Sequence, residues 1–296
     1  MHSNTEASDF ANRIADLFVV HEEVQRIWDR FDSLRLHLRT GKKHDPKHLL
    51  LTGISGAGKS QIGFRYKENN PGYTLVEDKK KIDIRPVLYI KLPFPFTIQA
   101  FYKKILSALG TKIFRSDLRI DFLKDQALHL LRQQRTELII FDELNFLTRT
   151  KRIDDQEGME IFKDLSNEGV SFVFMGTPKV EYLLGLEDEY FRRFTLVRLK
   201  AFDECDERFC SLLENIEKQI QPPYKLKLGD KKYGKPQLLH EYCEGRIAYL
   251  HSIIVEAYRL LKVFDKDFHD ISQAKLTVKT LREAKESLFG KQPEKA

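Results

Sequence analysis

The amino-acid sequence predicts an α/β protein with a parallel sheet of five strands, followed by a small all-helical domain. Two observations predict this fold class. Short apolar runs, typical of buried strands, alternate with segments whose apolar residues recur every three or four positions, as in amphipathic helices. Beyond Ala201 the apolar runs stop and only helical patterns remain. Strands that alternate with helices favour a largely parallel sheet covered on both faces.

The predicted elements follow a simple order along the chain. After a polar leader over residues 1–20, an amphipathic helix is predicted over His21–Leu38. The predicted strands are Leu49–Thr52, Val87–Leu92, Leu138–Phe141, Ser171–Met175 and Thr195–Leu199. Between them, helices are predicted over Ser60–Glu68, Ile98–Leu109 and Asp121–Gln133. We therefore expect an α/β core over residues 21–201 and a helical domain over residues 202–296, with its last long helix capped by Thr277.

Composition narrows the class of protein. Hydrophobic residues make up 42% and charged residues 32% of the chain, an ordinary globular balance. The apolar runs are too short to cross a bilayer and the amino terminus lacks the features of a secretion signal, so a cytoplasmic protein is expected. The net charge of +6 suits an anionic partner such as nucleic acid. Cys205, Cys210 and Cys243 lack metal-ligand spacing, and we assign them no function.

A glycine-rich loop follows the first predicted strand and precedes a helix. It reads Gly53, Ile54, Ser55, Gly56, Ala57, Gly58, Lys59 and Ser60, with Gln61 next in the helix. This is the Walker A pattern, in which backbone N–H groups and the helix amino end bind phosphate oxygens. Lys59 is expected to neutralise the β- and γ-phosphates of ATP, and Ser60 to ligate Mg²⁺. The alternative, a chance turn with a surface lysine, leaves the strand-loop-helix context unexplained.

Two carboxylates stand at the end of the third predicted strand. Asp142 and Glu143 directly follow the apolar run Leu138–Phe141, and the carboxyl ends of strands are where α/β sheets bind ligands. Asp142 suits the outer shell of the Mg²⁺ site, and Glu143 suits polarisation of the water that attacks the γ-phosphate. The adjacent glutamate favours ATP hydrolysis over phosphotransfer. The alternative is a solvated strand end.

Two further signals extend the catalytic set. Thr177 follows the fourth predicted strand, where its hydroxyl can sense the γ-phosphate, although threonine is also a common turn residue. Arg192 and Arg193 end a predicted helix just before the fifth strand. One of them can act as an arginine finger toward the ATP of a neighbouring subunit. Helix-end stabilisation by cations is the alternative.

Three residues outside the core are weaker candidates for nucleotide contact. Arg246 begins a helix of the second domain and can reach a phosphate, or it can be a solvated residue at a helix start. Val19 and Val20 precede the first predicted helix and can pack on the adenine. A hydrophobic staple that fixes the approach of the chain explains these valines equally well.

The order of these motifs resembles that of the AAA+ ATPases over nearly the whole chain. Within that class, the short chain, the histidine in the first predicted helix and the segments 51–60, Phe174–Thr177 and Glu189–Phe194 resemble the TniB/TnsC transposition regulators, with phage Mu B protein a more distant relative. The resemblance implies an AAA+ P-loop fold with a helical lid, and ATP and Mg²⁺ as cofactors.

The same resemblance implies a role in DNA transposition. In that family, ATP drives assembly of the protein on duplex DNA as a ring or helical filament, which engages a DDE transposase. Hydrolysis then disassembles the oligomer. A TniQ-type target selector is a frequent further partner, in some systems linked to a CRISPR effector.

The resemblance also indicates where DNA would be bound. The family's contacts come from the segment after the second strand of the sheet, which here carries Lys103, Lys104, Lys112 and Arg115. Contacts to phosphates require cations but no sequence pattern, so binding is expected to be non-specific and sensitive to salt. The alternative for these residues is a solvated helix face.

Two other functions remain open from the sequence. A helicase or clamp loader shares the ATP site, but it binds a ring-shaped replication partner and favours single strands. A signalling scaffold holds nucleotide without hydrolysis, so that Glu143→Gln has little effect.

Overall fold

The computed structural model describes residues 2–39, 46–77, 80–112, 117–150 and 153–290. The described chain forms two compact units. The first, the α/β unit, comprises residues from 23–55 and 59–199. The second, the helical unit, comprises the described residues up to Glu22, the short segment Gly56–Gly58 and the residues from Lys200 onward.

The strands of the α/β unit form one main sheet and a separate hairpin. In chain order they are β1 His48–Gly53, β2 Tyr73–Glu77, β3 Lys80–Ile84, β4 Val87–Lys91, β5 Leu138–Asp142, β6 Ser171–Gly176 and β7 Phe194–Leu199. The main sheet has the order β4-β5-β6-β1-β7, and each neighbouring pair is parallel. The predicted five-stranded parallel sheet is confirmed.

Helices occupy most of the remaining described chain. They are α1 His2–Ala15, α2 Glu22–Arg39, α3 Lys59–Asn69, α4 Ile98–Ala108, α5 Ile120–Gln133, α6 Asn145–Thr148, α7 Asp155–Asn167, α8 Asp188–Arg193, α9 Glu207–Ile220, α10 Lys235–Cys243, α11 Ile247–Leu260 and α12 Val278–Phe289. Short 3₁₀ segments cover Pro178–Gly185, Lys231–Tyr233 and Ile271–Gln273. Within the described residues, no helix is both long enough and apolar enough to span a membrane.

The core of the α/β unit lies on the three central strands. Every residue of β1, β5 and β6 is buried, which explains why these strands appear in the sequence as continuous apolar runs. Aromatic rings fill one face of the sheet: Phe162 of α7 meets Phe174 at 4.7 Å and Phe141 at 5.1 Å between ring centroids. The ends of these strands are therefore held on a densely packed support.

The elements of the α/β unit that were not predicted include the β2–β3 hairpin and helix α7. The hairpin of β2 and β3 pairs only with itself and is mostly exposed, so its residues show no apolar run. Helix α7 has a charged outer face, but Met159, Phe162 and Leu165 are buried against the sheet. The side chain of Asp154 caps α7 by accepting from the Glu157 N–H at 2.7 Å.

The leader predicted over residues 1–20 is largely a helix. Phe10, Ile14 and Leu17 of this segment are buried in the core of the helical unit, and the Phe10 ring meets Tyr258 edge-on at 5.6 Å. The narrow apolar stripe stands among polar residues, and for that reason the sequence predicted a polar leader and no helix here. The helical unit therefore contains both ends of the described chain.

Candidate nucleotide-binding site

The phosphate loop lies at the carboxyl end of β1. It leaves the sheet at Gly53 and enters α3 at Lys59, as the Walker A pattern predicts. Gly56 and Gly58 have φ angles of +83° and +102°, in the left-handed region that other residues rarely adopt. Gly56 and Gly58 are therefore required by the conformation of the backbone.

The parallel sheet brings the other predicted residues to the same edge. β6 and β5 lie successively beside β1, so Gly53, Thr177 and Asp142 follow the ends of three neighbouring strands. Ser60 lies in the first turn of α3 with an exposed side chain, and so does Gln61. Ile54 and Ser55 are exposed in the loop, whereas Ala57 is buried.

Lys59 is positioned by the loop that it follows. Its ammonium group donates to the carbonyl oxygens of Gly53 at 2.7 Å and Ile54 at 3.0 Å. Burial lowers the pKa of Lys59, and the charges of Asp142 and Glu143 act in the opposite direction. A partly desolvated cation gains free energy from an anionic ligand, so this site favours phosphate.

The two acidic residues have different environments. Asp142 is the last residue of β5 and only 4% exposed. Its Oδ1 accepts the Glu143 N–H at 2.8 Å, and its Oδ2 accepts the Tyr89 hydroxyl at 2.6 Å. Glu143 has a φ of +60°, so the backbone turns at this residue and its side chain is one-third exposed, at 34%. Glu143 can therefore reach solvent while Asp142 stays fixed.

Two residues of β4 complete this acidic cluster, and both were missed in the sequence. Tyr89 contacts Asp142 as described above, and Lys91 Nζ lies 3.9 Å from Glu143 Oε1. Burial raises the pKa of Tyr89, and Asp142 raises it further, so the phenol stays protonated and donates. The two residues are spaced i and i+2 on one strand, which places both side chains on the same face of the sheet. This i, i+2 spacing was the feature of the sequence from which Tyr89 and Lys91 could have been identified as site residues.

The oxygen donors at this edge fit magnesium. Ser60 supplies a hydroxyl and Asp142 a carboxylate, both of which are hard ligands that Mg²⁺ prefers. Within the described part of the chain, no cluster of three or more His, Cys, Asp or Glu residues could hold a metal by itself. A donor set of this kind suits Mg²⁺ that is held jointly by the protein and by nucleotide phosphates.

Thr177 is tied to the segment that follows the acidic pair. Its hydroxyl donates to Asn145 Oδ1 at 2.8 Å, and its backbone N–H donates to the same oxygen at 3.2 Å. Asn145 is the first residue of α6, two positions after Glu143. Asn145 was missed in the sequence, although a polar residue this close to the acidic pair was a usable signal.

The two arginines lie at the opposite edge of the sheet. They end α8 immediately before Phe194, which pairs in register with His48 at the start of β1. The phosphate loop begins at the other end of β1, and a strand of this length spans roughly 20 Å. Arg192 and Arg193 are thus separated from their own phosphate loop by the length of the sheet.

The contacts of the two arginines differ. Arg193 pairs with Glu189 at 2.9 Å and donates to Ser166 Oγ at 3.3 Å, and its side chain is only 22% exposed. Arg192 is exposed, and its backbone carbonyl accepts from Lys47 Nζ at 3.3 Å. Of the two, Arg192 has the side chain that is accessible to another molecule.

Arg246 lies in the helical unit at the start of α11. Its guanidinium group donates to the Tyr249 hydroxyl at 3.1 Å and pairs with Glu244 at 3.2 Å. In the same unit, the Ala248 N–H donates to the Gly56 carbonyl at 3.0 Å. A Cβ atom at Gly56 would lie 3.6 Å from Arg246 Cδ. Arg246 therefore lies beside Gly56 of the phosphate loop.

The remaining residues predicted to contact adenine or DNA lie in different parts of the chain. In the helical unit, Val19 is partly buried against the core and Val20 is 44% exposed. On α4 of the α/β unit, Lys103 is partly buried and Lys104 exposed. Lys112, after that helix, is exposed as well. Arg115 lies outside the described residues.

Comparison with known proteins identifies one family. The sequence model described as "Bacterial TniB protein" matches residues 11–204, more than half of the chain. No curated protein gives a significant match.

Several solved structures of archaeal proteins have a similar fold. The Aeropyrum pernix ORC2 protein, solved as ADPNP-ADP complexes, has a TM-score of 0.63 at 12% identity, covering 93% of this chain and 71% of that one. The A. pernix ORC1 protein in complex with DNA has a TM-score of 0.58 at 14% identity, with coverage of 91% and 66%. Cdc6p from Pyrobaculum aerophilum has a TM-score of 0.54 at 14% identity, with coverage of 86% and 65%. At such low identity these similarities show the fold alone, which is the AAA+ P-loop fold that the sequence predicted.

The geometry of the phosphate loop leads to a prediction for nucleotide affinity. A Cβ atom at Gly58 would meet nothing within 4 Å, so Gly58→Ala tests the left-handed φ alone. Alanine in that region costs about 1–2 kcal/mol, and we expect affinity for a fluorescent ADP analogue to fall about 10-fold, as measured by anisotropy.

Gly185→Ala is the matched control. Gly185 also has open space around its Cβ position, but its φ lies outside the left-handed region. This variant should bind the analogue as the parent protein does. Equal affinities in all three proteins would contradict the role assigned to the loop.

Proposed function

The chain belongs to the TniB family, and we propose that it is an ATP-dependent regulator of DNA transposition that assembles on duplex DNA. One observation carries the proposal. The phosphate loop and the acidic pair lie at one edge of the sheet, whereas the exposed Arg192 lies at the other edge. A complete ATP site therefore takes its arginine from a second copy of the chain.

The residues at the carboxyl edge have separate roles in hydrolysis. The loop N–H groups and Lys59 hold the phosphates. Ser60 and Asp142 hold Mg²⁺, which when bound neutralises charge on the β- and γ-phosphates. Glu143 has a partly exposed carboxylate that can accept a proton from the attacking water. The Thr177 hydroxyl, which donates to Asn145 Oδ1 in this structure, can donate to the γ-phosphate once its hydrogen turns away from Asn145.

Assembly follows from the position of the arginine. Because Arg192 is remote from its own phosphate loop, it can stabilise charge on ATP only in a neighbouring subunit. ATP then acts as a link between subunits, and its hydrolysis removes that link. We further propose that Arg246 contacts the nucleotide from the helical unit and that Val19 and Val20 pack on the adenine.

The proposed DNA surface is built from cations on α4 and the segment after it. Lys104 and Lys112 are exposed, and the net charge of +6 favours approach to a polyanion. The structural similarity to the ORC1 protein solved with DNA is consistent with this role. Phosphate contacts of this kind give affinity without sequence preference. In this proposal the DNA-bound oligomer engages a DDE transposase and a TniQ-type target selector.

Removal of the proposed general base tests the ATP cycle. Glu143→Gln keeps the size of the side chain but cannot accept a proton, so we expect ATP hydrolysis to fall by about 100-fold or more. Binding of ATP should persist. Assemblies on duplex DNA should then outlast those of the parent protein after dilution, as followed by DNA anisotropy.

Glu241→Gln is the control, because it makes the same change at an exposed position of α10 in the helical unit. It should hydrolyse ATP and disassemble normally. Normal disassembly of the Glu143→Gln protein would count against the proposed cycle, and would favour a scaffold that holds nucleotide statically.

A mixing experiment tests the arginine in trans. Arg192→Ala alone should lose hydrolysis by on the order of 10³-fold, and hydrolysis by Glu143→Gln alone should fall as described above. In a mixture, an intact site of the Arg192→Ala protein can face an intact arginine of the Glu143→Gln protein, so activity should reappear. Steady-state phosphate release measures this recovery.

Arg208→Ala serves as the control for loss of an exposed, paired arginine, since Arg208 pairs with Asp206 in the helical unit. That variant should remain active. Absence of recovery in the mixture, with both variants folded and able to bind ATP, would contradict a finger supplied by a second subunit.

A further inference from the structure

Tyr89 lies between the two residues assigned to Mg²⁺. Its hydroxyl donates to Asp142 Oδ2 at 2.6 Å, and the Ser60 side chain is close enough to act on the same phenol and to oppose the rise in its pKa. Because the Tyr89 proton is already engaged by Asp142, the Ser60 hydroxyl can interact with the phenol oxygen only as a donor. One phenol oxygen thus connects the hydroxyl ligand to the carboxylate ligand.

The position of Tyr89 is set by rigid elements. It is the central residue of β4, which pairs with β5 in parallel register, with Tyr89 opposite Ile140 and Lys91 opposite Asp142. Its ring packs edge-on against Phe64 of α3, with centroids 5.9 Å apart. The phenol is therefore held by the sheet on one side and by the helix of the phosphate loop on the other.

These contacts determine how each ligand is oriented. The Asp142 carboxylate is restrained at both oxygens, by the Glu143 N–H at 2.8 Å and by Tyr89. A serine that gives a lone pair to a metal must direct its hydrogen to another acceptor. The Tyr89 oxygen is that acceptor for Ser60. Hydrogen-bonding partners of this kind fix the ligands of a metal and commonly contribute about 10- to 100-fold to affinity.

We propose that Tyr89 is a positioning residue for Mg²⁺, and that it orients Asp142 and Ser60 together. It does not ligate the metal, and it makes no contact with the reacting phosphate. The inference rests on the proposed function, because it assumes that ATP and Mg²⁺ bind at this edge of the sheet.

The test is Tyr89→Phe, which keeps the ring and its packing on Phe64 and removes only the hydroxyl. Affinity for a fluorescent ATP analogue is titrated with Mg²⁺ and, separately, in EDTA. The Mg²⁺ concentration needed for half of the full affinity gain should rise about 10-fold, while affinity in EDTA stays as in the parent protein. Hydrolysis at saturating Mg²⁺ should recover, so the change lies in the apparent KM for the metal and not in kcat.

Tyr182→Phe is the matched control. The Tyr182 hydroxyl also bonds a carboxylate, that of Asp155, which has no assigned role in the nucleotide site, and its loss should leave the Mg²⁺ titration unchanged. An unaltered titration in Tyr89→Phe would overturn this inference alone. If the affinity of the parent protein for ATP does not depend on Mg²⁺, both the inference and the proposed site are overturned.

Discussion

The common direction of the five strands is the constraint on which the rest of the site depends. A parallel sheet gathers every carboxyl end at one edge and every amino end at the other. Gly53, Asp142 and Thr177 come together for this reason, although they are far apart in the sequence. The same constraint places Arg192 at the far edge, so the feature that assembles the phosphate site also separates it from its arginine.

A second set of residues fixes the orientation of the groups that the sheet gathers. Asn145 binds Thr177 through both its hydroxyl and its N–H, while Tyr89 and Lys91 contact the two carboxylates from the edge strand. Each partner is supplied by an element that packs on the central strands. The geometry of the acidic pair is therefore a property of β4, β5 and α6 together, and a change on β4 can alter chemistry at Asp142.

The parts of this arrangement that could be predicted are those with local signals. The fully buried strands appear as apolar runs, and the phosphate loop is recognised because its glycines follow a strand and precede a helix. Helix α1 was not predicted because only a narrow stripe around Phe10 and Ile14 is apolar. For Tyr89 and Asn145 the sequence offered a signal, but their bonds to Asp142 and Thr177 could not be predicted because these partners lie in other elements. The difference between Arg192 and Arg193 likewise comes from the ion pair of Arg193 with Glu189 and its hydrogen bond to Ser166.

The most direct test of the central claim is the binding of the full chain to a random-sequence duplex with ATP, with ADP and without nucleotide. Each condition is measured at low and moderate salt and viewed by negative-stain microscopy. Assembly that uses ATP to join subunits predicts rings or filaments on the duplex with ATP alone, and weaker binding as salt rises. Binding of nucleotide without any ATP-dependent assembly on duplex DNA, or a clear preference for single strands, would contradict the account.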